Sequence, residues 1–224
     1  MIGVYKILFS VCILFFGTQT MAQDQFERLR PKYLRLIREK CNCDMQGYRY
    51  RIVYDDSDIN EQTYCDYSFD PVYYAADSLK IPILQQLLRA IDDTSICCNK
   101  VERYGAKAGK APVSKRYTLQ IDALYIFNFV AFGVYVKHYS PYPILLDTVS
   151  GMEVNDDSEK IKEVYAIYTT WLKKATENGF KNYAFPLINT RYQWYGGLQR
   201  TILLKKMPHS PTHDNLGRPQ SFSP

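Results

Sequence analysis

Residues 123–136 form an apolar stretch in which Asn128 is the one strongly polar side chain. A helix that is apolar all round lies either in a membrane or at the centre of a protein core. This stretch is shorter than the roughly 20 residues that a helix needs to cross a bilayer. We therefore expect a central core helix at about residues 117–137, with the other elements packed around it.

Three further segments have helical patterns. Residues 156–179 repeat apolar side chains at i, i+3, i+4 and i+7, with N-cap candidates at the start and Gly179 at the end. Residues 79–92 place leucines on one face, with Pro82 near the first turn. Residues 31–40 are the shortest candidate, with a proline suited to the first helical position.

Two segments have extended patterns. Residues 48–54, YRYRIVY, alternate between tyrosine or isoleucine and arginine or valine, which is the period of a strand. Residues 142–151, YPILLDTVSG, predict a short strand or extended link with a turn at Gly151. The predicted fold is therefore mainly α, that is, α+β with minor β content, in which helical hairpins pack around the 117–137 helix.

The N-terminus has the pattern of a secretory signal peptide. Lys6 precedes a run of ten mostly apolar residues, and Thr20 and Ala22 suit the −3 and −1 positions of a cleavage site. The alternative is an uncleaved anchor, but ten residues are too few to span a bilayer. We expect residues 1–22 to be removed and the protein to be periplasmic or secreted, with no transmembrane segment after cleavage.

The rest of the chain has the length of one domain. Hydrophobic residues make up 46% of the sequence, which suffices for a core. Residues 208–224 contain four prolines and few apolar side chains, so we expect a globular domain over residues 23–207 and a disordered tail after it.

The charge of the chain is only mildly basic. The formal net charge falls from +5 to +4 when residues 1–22 are removed, because they contain Lys6 and no acidic residue. There is no block of five or more basic residues. We therefore expect no nucleic-acid partner.

Five cysteines follow the predicted cleavage site, and export makes them candidates for disulfides: Cys41, Cys43, Cys65, Cys97 and Cys98. Their odd number requires a free thiol or an intermolecular bond. Because bonds between neighbouring cysteines are strained, we expect a bridge from one of the first three to one of the last two. Zinc is the alternative, but the C-x-C and C-C spacings are unusual for it and no histidine lies nearby. We predict no metal and no cofactor.

The segment DDSDINEQTYCD has the alternating oxygen ligands that begin an EF-hand calcium loop, at Asp56, Asp58 and Asn60. The sixth position of such a loop requires glycine and the twelfth requires glutamate. Glu61 and Tyr67 occupy those positions here. We interpret the segment as a polar turn after a strand, with a looser calcium site as the alternative.

The sequence lacks the short motifs of common enzymes. It contains no G-x-S-x-G, no H-E-x-x-H and no glycine-rich phosphate loop after a strand. Of its three histidines, His209 and His213 lie in the predicted tail, and His138 ends the central helix, where the helix dipole favours a cation. Catalysis by Cys41 or Cys65 together with His138 stays open, without a signature to support it.

Asp122 is the one candidate catalytic carboxylate. It lies in the first turns of an otherwise apolar helix, where burial would raise its pKa and suit it to act as a general acid. The alternative is a structural acid, stabilised by the helix N-terminus or paired with Lys115 or Arg116.

Aromatic residues are abundant, with 20 Tyr, 11 Phe and 2 Trp. Part of them concentrate in residues 182–197, where Arg191, Tyr192, Trp194 and Tyr195 form our candidate partner-binding site. Flat rings gain contact area at a low cost in entropy, as in carbohydrate and protein interfaces. In a strand, Tyr192 and Trp194 would share a face and Tyr195 would oppose them. The alternative is that these rings fill the core.

These observations together predict an exported, non-catalytic protein that binds an unknown protein partner or a glycan. The alternative is an exported carboxylate-dependent hydrolase, similar in chemistry to a glycosidase, that uses Asp122. A second acid facing Asp122 across a cleft would favour the hydrolase.

Overall fold

The computed structural model describes residues 31–41, 46–54, 70–101, 112–180 and 184–198. Within these ranges the helices are α1 (Asp70–Tyr74), α2 (Asp77–Leu88), α3 (Leu119–Phe132) and α4 (Ser158–Glu177), and 3₁₀ turns follow α2 and α3 at Arg89–Asp92 and Gly133–His138. The strands are β1 (Leu34–Lys40), β2 (Tyr48–Tyr54), β3 (Leu145–Asp147), β4 (Met152–Glu153) and β5 (Tyr192–Trp194).

Helix α3 lies at the centre of the fold, and every one of its side chains is buried. This confirms the central core helix that the apolar stretch predicts. The α-helix ends earlier than expected, because Gly133 has a φ of +58° and the chain continues as a 3₁₀ turn. A Cβ atom at Gly133 would lie 2.3 Å from the Tyr73 ring of α1, so this position requires glycine.

Helices α2 and α4 confirm two of the other predicted helices. In α4, the Asp157 carboxylate caps the N-terminus by accepting a hydrogen bond from the Lys160 amide at 3.1 Å. Its buried residues have the predicted helical spacing: Ile161, Val164, Tyr165, Tyr168, Leu172 and Ala175. Helix α2 begins two residues before the predicted start, so Pro82 lies inside the helix and not in its first turn.

The helix predicted at residues 31–40 is wrong, because residues Leu34–Lys40 form strand β1. The strand pairs antiparallel with β2 along its whole length, with Leu36 opposite Ile52. On the other face, Glu39 accepts hydrogen bonds from Arg49 at 2.7 Å and Arg51 at 3.2 Å. An isolated helix of this length is marginal in water, so pairing with β2 decides the conformation. Strand β2 itself has the bounds that the alternating pattern predicts.

The mainly α fold class is also wrong, since the described residues form an α+β fold with two antiparallel sheets. Strands β1 and β2 form one sheet, and the other has the order β4-β3-β5. The second sheet joins segments that are distant in the chain, with Leu145 opposite Trp194. Strands of two or three residues are too short to show an alternating pattern, so β4 and β5 were not predicted as strands from the sequence. The short strand and the turn at Gly151 are confirmed.

A disulfide joins Cys41, at the end of β1, to Cys98, with a Cα–Cα distance of 6.4 Å. It confirms the predicted bridge between the two cysteine groups. Cys97 is free and buried. The other two cysteines, Cys43 and Cys65, lie outside the described residues.

Other sequence predictions also lie outside the described residues. They concern the signal peptide at residues 1–22, the acidic segment at 55–66 and the tail at 208–224 with its two histidines. In the part that the structure describes, no helix combines the length and the apolar character needed to cross a membrane.

We expect reduction of the Cys41–Cys98 disulfide to lower the free energy of unfolding by about 4 kcal/mol, because the bridge spans 57 residues and restricts the unfolded chain. Urea denaturation of the wild type and a Cys41→Ser/Cys98→Ser variant measures the difference. An unchanged transition midpoint would contradict it.

In the folded, non-reduced protein, Cys97 should resist alkylation until denaturant is added.

Candidate functional site

Two rings of the candidate binding segment, those of Tyr192 and Trp194 in β5, are buried in the core. Tyr192 is 1% exposed and Trp194 is 0% exposed, whereas Tyr195 is half-buried. The indole N–H of Trp194 donates to the Tyr168 hydroxyl at 2.9 Å, and that hydroxyl donates to the Asn128 carbonyl oxygen at 2.8 Å. The one polar side chain of the apolar stretch thus accepts a hydrogen bond in the core. Through this chain of bonds, α3 and α4 fix the position of β5.

Arg191 is 45% exposed at its side chain and pairs with Asp147, whose side chain has no exposed surface. The guanidinium donates to both carboxylate oxygens of Asp147, and the Lys160 ammonium lies 3.2 Å from one of them. Hydrogen bonds from Arg191 first, and then from Val149 and Lys160, hold the pKa of Asp147 well below its usual range. The charge of Arg191 is therefore paired with Asp147 within the domain.

Tyr195 lies on the opposite side of the chain from the buried rings, where it contacts Tyr142. The two ring centroids are 6.0 Å apart at an interplanar angle of 78°. Pro141 adjoins this pair, since a Cβ atom at Gly196 would lie 3.4 Å from its ring. Leu198, which is 44% exposed, follows three residues after Tyr195. We call Pro141, Tyr142, Tyr195 and Leu198 the Tyr195 surface.

The backbone beside this surface is closely packed. The amide of Tyr195 donates to the Ile144 carbonyl at 2.7 Å, and the amide of Leu198 donates to the His138 carbonyl at 2.8 Å. A Cβ atom at Gly197 would lie 2.0 Å from the Tyr139 carbonyl oxygen, so only glycine fits there. The side chains of the Tyr195 surface are therefore presented on a fixed backbone.

Two residues with basic side chains precede Pro141 of the Tyr195 surface along the chain. Lys137 and His138 end the 3₁₀ turn after α3, and both are exposed. The backbone carbonyl of His138 accepts the hydrogen bond from the Leu198 amide. The formal positive charge of Lys137 favours an acidic partner.

Asp122, in the first turn of α3, has no exposed surface and faces β2. Its Oδ2 accepts a hydrogen bond from the Tyr50 amide at 3.4 Å. Burial raises the pKa of Asp122 to about 7, although the Tyr50 amide, the Cys97 thiol and the Tyr117 hydroxyl lower it. Because no part of the side chain reaches solvent, it does not line an open cleft.

The other partners considered for Asp122 lie elsewhere. The Arg116 guanidinium donates to the Gln46 carbonyl at 3.1 Å, and Lys115 is exposed. The Cys97 thiol lies beside Asp122, and burial together with this carboxylate raises its pKa. A thiol that resists ionisation is a poor nucleophile.

The described residues offer neither a metal centre nor the combination of Cys41 with His138. They contain no group of three or more histidine, cysteine, aspartate or glutamate side chains placed to hold a metal ion. Cys41 is bonded to Cys98 and His138 is exposed, while Cys65 lies outside the described ranges. What these ranges do present is the Tyr195 surface, in which Pro141, Tyr142 and Tyr195 are half-buried and Leu198 is exposed.

Sequence reasoning identified Tyr195 but missed the residues that complete its surroundings. Tyr142 and Asp147 come from chain segments that only the fold brings next to β5, whereas Leu198 directly follows the candidate segment 182–197. One signal was available for Tyr142, because the prolines on both sides of it favour an extended, exposed chain. No comparable signal pointed to Leu198.

No protein-family model matches this sequence, and neither a curated protein nor a solved structure shows significant similarity to it.

We expect Asp122→Asn to remove a pH dependence of stability between about pH 4 and pH 7. The folded pKa of Asp122 is raised to about 7 from 3.8, so the folded state keeps this proton to higher pH than the unfolded chain. The free energy of unfolding of the wild type should therefore fall as pH rises through that window, by on the order of 4 kcal/mol. Urea denaturation across the window measures it. Parallel pH profiles for the wild type and the variant would contradict the assignment.

We expect alanine substitutions at Trp194 and Tyr195 to have different effects on stability. Trp194→Ala removes a fully buried ring and should lower the free energy of unfolding by about 3–5 kcal/mol. Tyr195→Ala removes a half-buried ring and should lower it by about 1 kcal/mol. Thermal and urea unfolding of the two variants measure this. Equal, large losses would place Tyr195 in the core and leave no binding site on β5.

Proposed function

We propose that this chain is an exported, non-catalytic protein that binds an acidic partner protein through the Tyr195 surface. The observation that carries the proposal is the change of burial along residues 192–198. Tyr192 and Trp194 are held in the core, whereas Tyr195 is half-buried and Leu198 is exposed. A binding surface requires this combination of anchored backbone and partly exposed side chains.

The composition of the Tyr195 surface favours a protein over a glycan. Sugars stack on an open, flat ring face, but the Tyr142 and Tyr195 rings stand nearly perpendicular to each other. Leu198 and Pro141 add aliphatic area, which suits a protein side chain. The exposed Lys137, four residues before Pro141, favours an acidic partner.

Export is supported by two independent features of the chain. The disulfide between Cys41 and Cys98 is typical of proteins in oxidising compartments. The pattern of residues 1–22 is typical of a cleaved signal peptide. We therefore propose that the mature protein begins at Gln23 and works in a periplasm or outside the cell.

The hydrolase alternative finds no support at Asp122. A general acid in glycoside hydrolysis must reach the substrate and lie opposite a second carboxyl. Asp122 has no exposed surface, and its nearest polar neighbours are Tyr50, Cys97 and Tyr117. The proposed function accordingly gives Asp122 a structural role.

The experiment is affinity purification of the mature protein from its native envelope or medium, with a Tyr195→Ala/Leu198→Ser variant alongside. The proposal predicts that a specific acidic protein is retained by the wild type and at least about tenfold less by the variant. The variant should keep most of its thermal stability, because both side chains are partly exposed.

The matched control is Ile96→Ser, which removes an exposed aliphatic side chain beside β2. It should retain the partner as well as the wild type does. Equal retention by all three proteins would contradict the Tyr195 surface as the site. Specific retention of a glycan in place of a protein would contradict the partner class.

A further inference from the structure

The turn between β3 and β4 carries two exposed aliphatic side chains, and a third lies beside it. Val149 is 77% exposed, Met152 is 66% exposed and Val113 is 84% exposed. In the described part of the chain, these are the most exposed large hydrophobic side chains. We call the three of them the hairpin tip.

Hydrogen bonds hold the hairpin tip in place. The Glu153 carboxylate accepts from the Val113 amide at 2.6 Å and from the Ser114 amide at 3.0 Å, which fixes Val113 beside β4. The turn is closed by the Gly151 amide, which donates to the Asp147 carbonyl at 2.8 Å. The tip is therefore an ordered projection, whose aliphatic side chains face solvent although the backbone behind them is fixed.

The charges around the hairpin tip follow a simple pattern. Residues 148–152 contain no charged side chain. Asp147 is buried and paired with Arg191, and Glu153 accepts its hydrogen bonds within the domain. An uncharged tip can leave water without the large cost of removing a charge from water.

Basic side chains lie next to the tip on the chain segment that Glu153 holds. Lys115 and Arg116 follow Ser114 directly, and both are exposed. The nearest exposed acid beyond β4 along the chain is Asp156, which begins the approach to α4. The segment with Val113 thus combines an exposed aliphatic side chain with two adjacent positive charges.

We propose that the hairpin tip inserts into the interfacial layer of a membrane whose surface carries anionic lipids. Protruding aliphatic side chains enter the boundary between headgroups and acyl chains, and nearby lysine and arginine side chains are attracted to anionic headgroups. Protein interfaces, in contrast, are enriched in aromatic side chains at their centres, and the tip has none. The charge and the shape of the tip therefore both fit a lipid surface.

The hairpin tip and the Tyr195 surface lie at opposite ends of one sheet. In the register of β3 with β5, Asp147 pairs with Tyr192 toward the tip, and Leu145 pairs with Trp194 toward Tyr195. A chain bound to a membrane by its tip would keep the Tyr195 surface free for a partner. The membrane proposal does not depend on that partner, since the two surfaces share no residue.

The test is co-sedimentation of the mature chain, from Gln23 onward, with vesicles that contain phosphatidylglycerol and with vesicles of pure phosphatidylcholine. We expect binding to the anionic vesicles and weaker binding to the neutral ones. A Val149→Ser/Met152→Ser variant should bind anionic vesicles at least about tenfold more weakly, because it lacks two of the inserting side chains. Lys115→Glu should weaken binding to anionic vesicles and leave binding to neutral vesicles unchanged.

Ile96→Ser is the matched control, because it removes an exposed aliphatic side chain that belongs to neither proposed surface. It should bind vesicles as the wild type does, and circular dichroism should show that all variants are folded. If the wild type binds neither kind of vesicle, the proposal is overturned. It is also overturned if the Val149→Ser/Met152→Ser variant binds anionic vesicles as strongly as the wild type does. A variant that keeps vesicle binding but loses a protein partner would overturn it as well.

Discussion

The complete burial of helix α3 is the constraint on which the rest of this structure depends. A helix with no polar face has to be covered on all sides, and the segments that cover it come from both ends of the described chain. Sheet β1–β2 packs on it near Asp122, helices α1 and α2 pack along it, and α4 and β5 contribute the aromatic rings that enclose it, such as Tyr168 and Trp194. The short strands β3 to β5 depend on packing against this core, because strands of two or three residues do not form a stable sheet alone.

Polar groups inside this core determine its specificity. The bonds from Trp194 through Tyr168 to Asn128 connect three elements and give the indole N–H, the Tyr168 hydroxyl and the Asn128 side-chain oxygen a partner inside the core. The Asp122 carboxyl is also buried, and its burial raises its pKa to about 7. The stability of the fold at the N-terminal end of α3 thus depends on pH through Asp122. The middle of the helix is held by hydrogen bonds between neutral groups at Asn128.

The three-stranded sheet links this core to both proposed surfaces. Its inward residues fix the backbone, and its two ends present side chains of different character, with aromatic rings at Tyr195 and aliphatic groups at Val149 and Met152. Asp147 is central to this arrangement, since it accepts hydrogen bonds from Arg191 and from the turn that carries Val149. A single buried carboxylate therefore stabilises both the strand end and the hairpin turn.

The sequence by itself determined the elements whose signal is local. The apolar run predicted the position and burial of α3, the i, i+3, i+4 spacing predicted α4, and the alternation in residues 48–54 predicted β2. Cysteine spacing predicted a bridge of the kind found between Cys41 and Cys98. Only the tertiary structure decided that residues Leu34–Lys40 form a strand, and which rings of the β5 segment face outward. In both cases the deciding energy comes from contacts between residues far apart in the chain. These are the pairing of Leu34–Lys40 with β2 and the contact of Trp194 with Tyr168. A local sequence pattern does not contain information about such contacts.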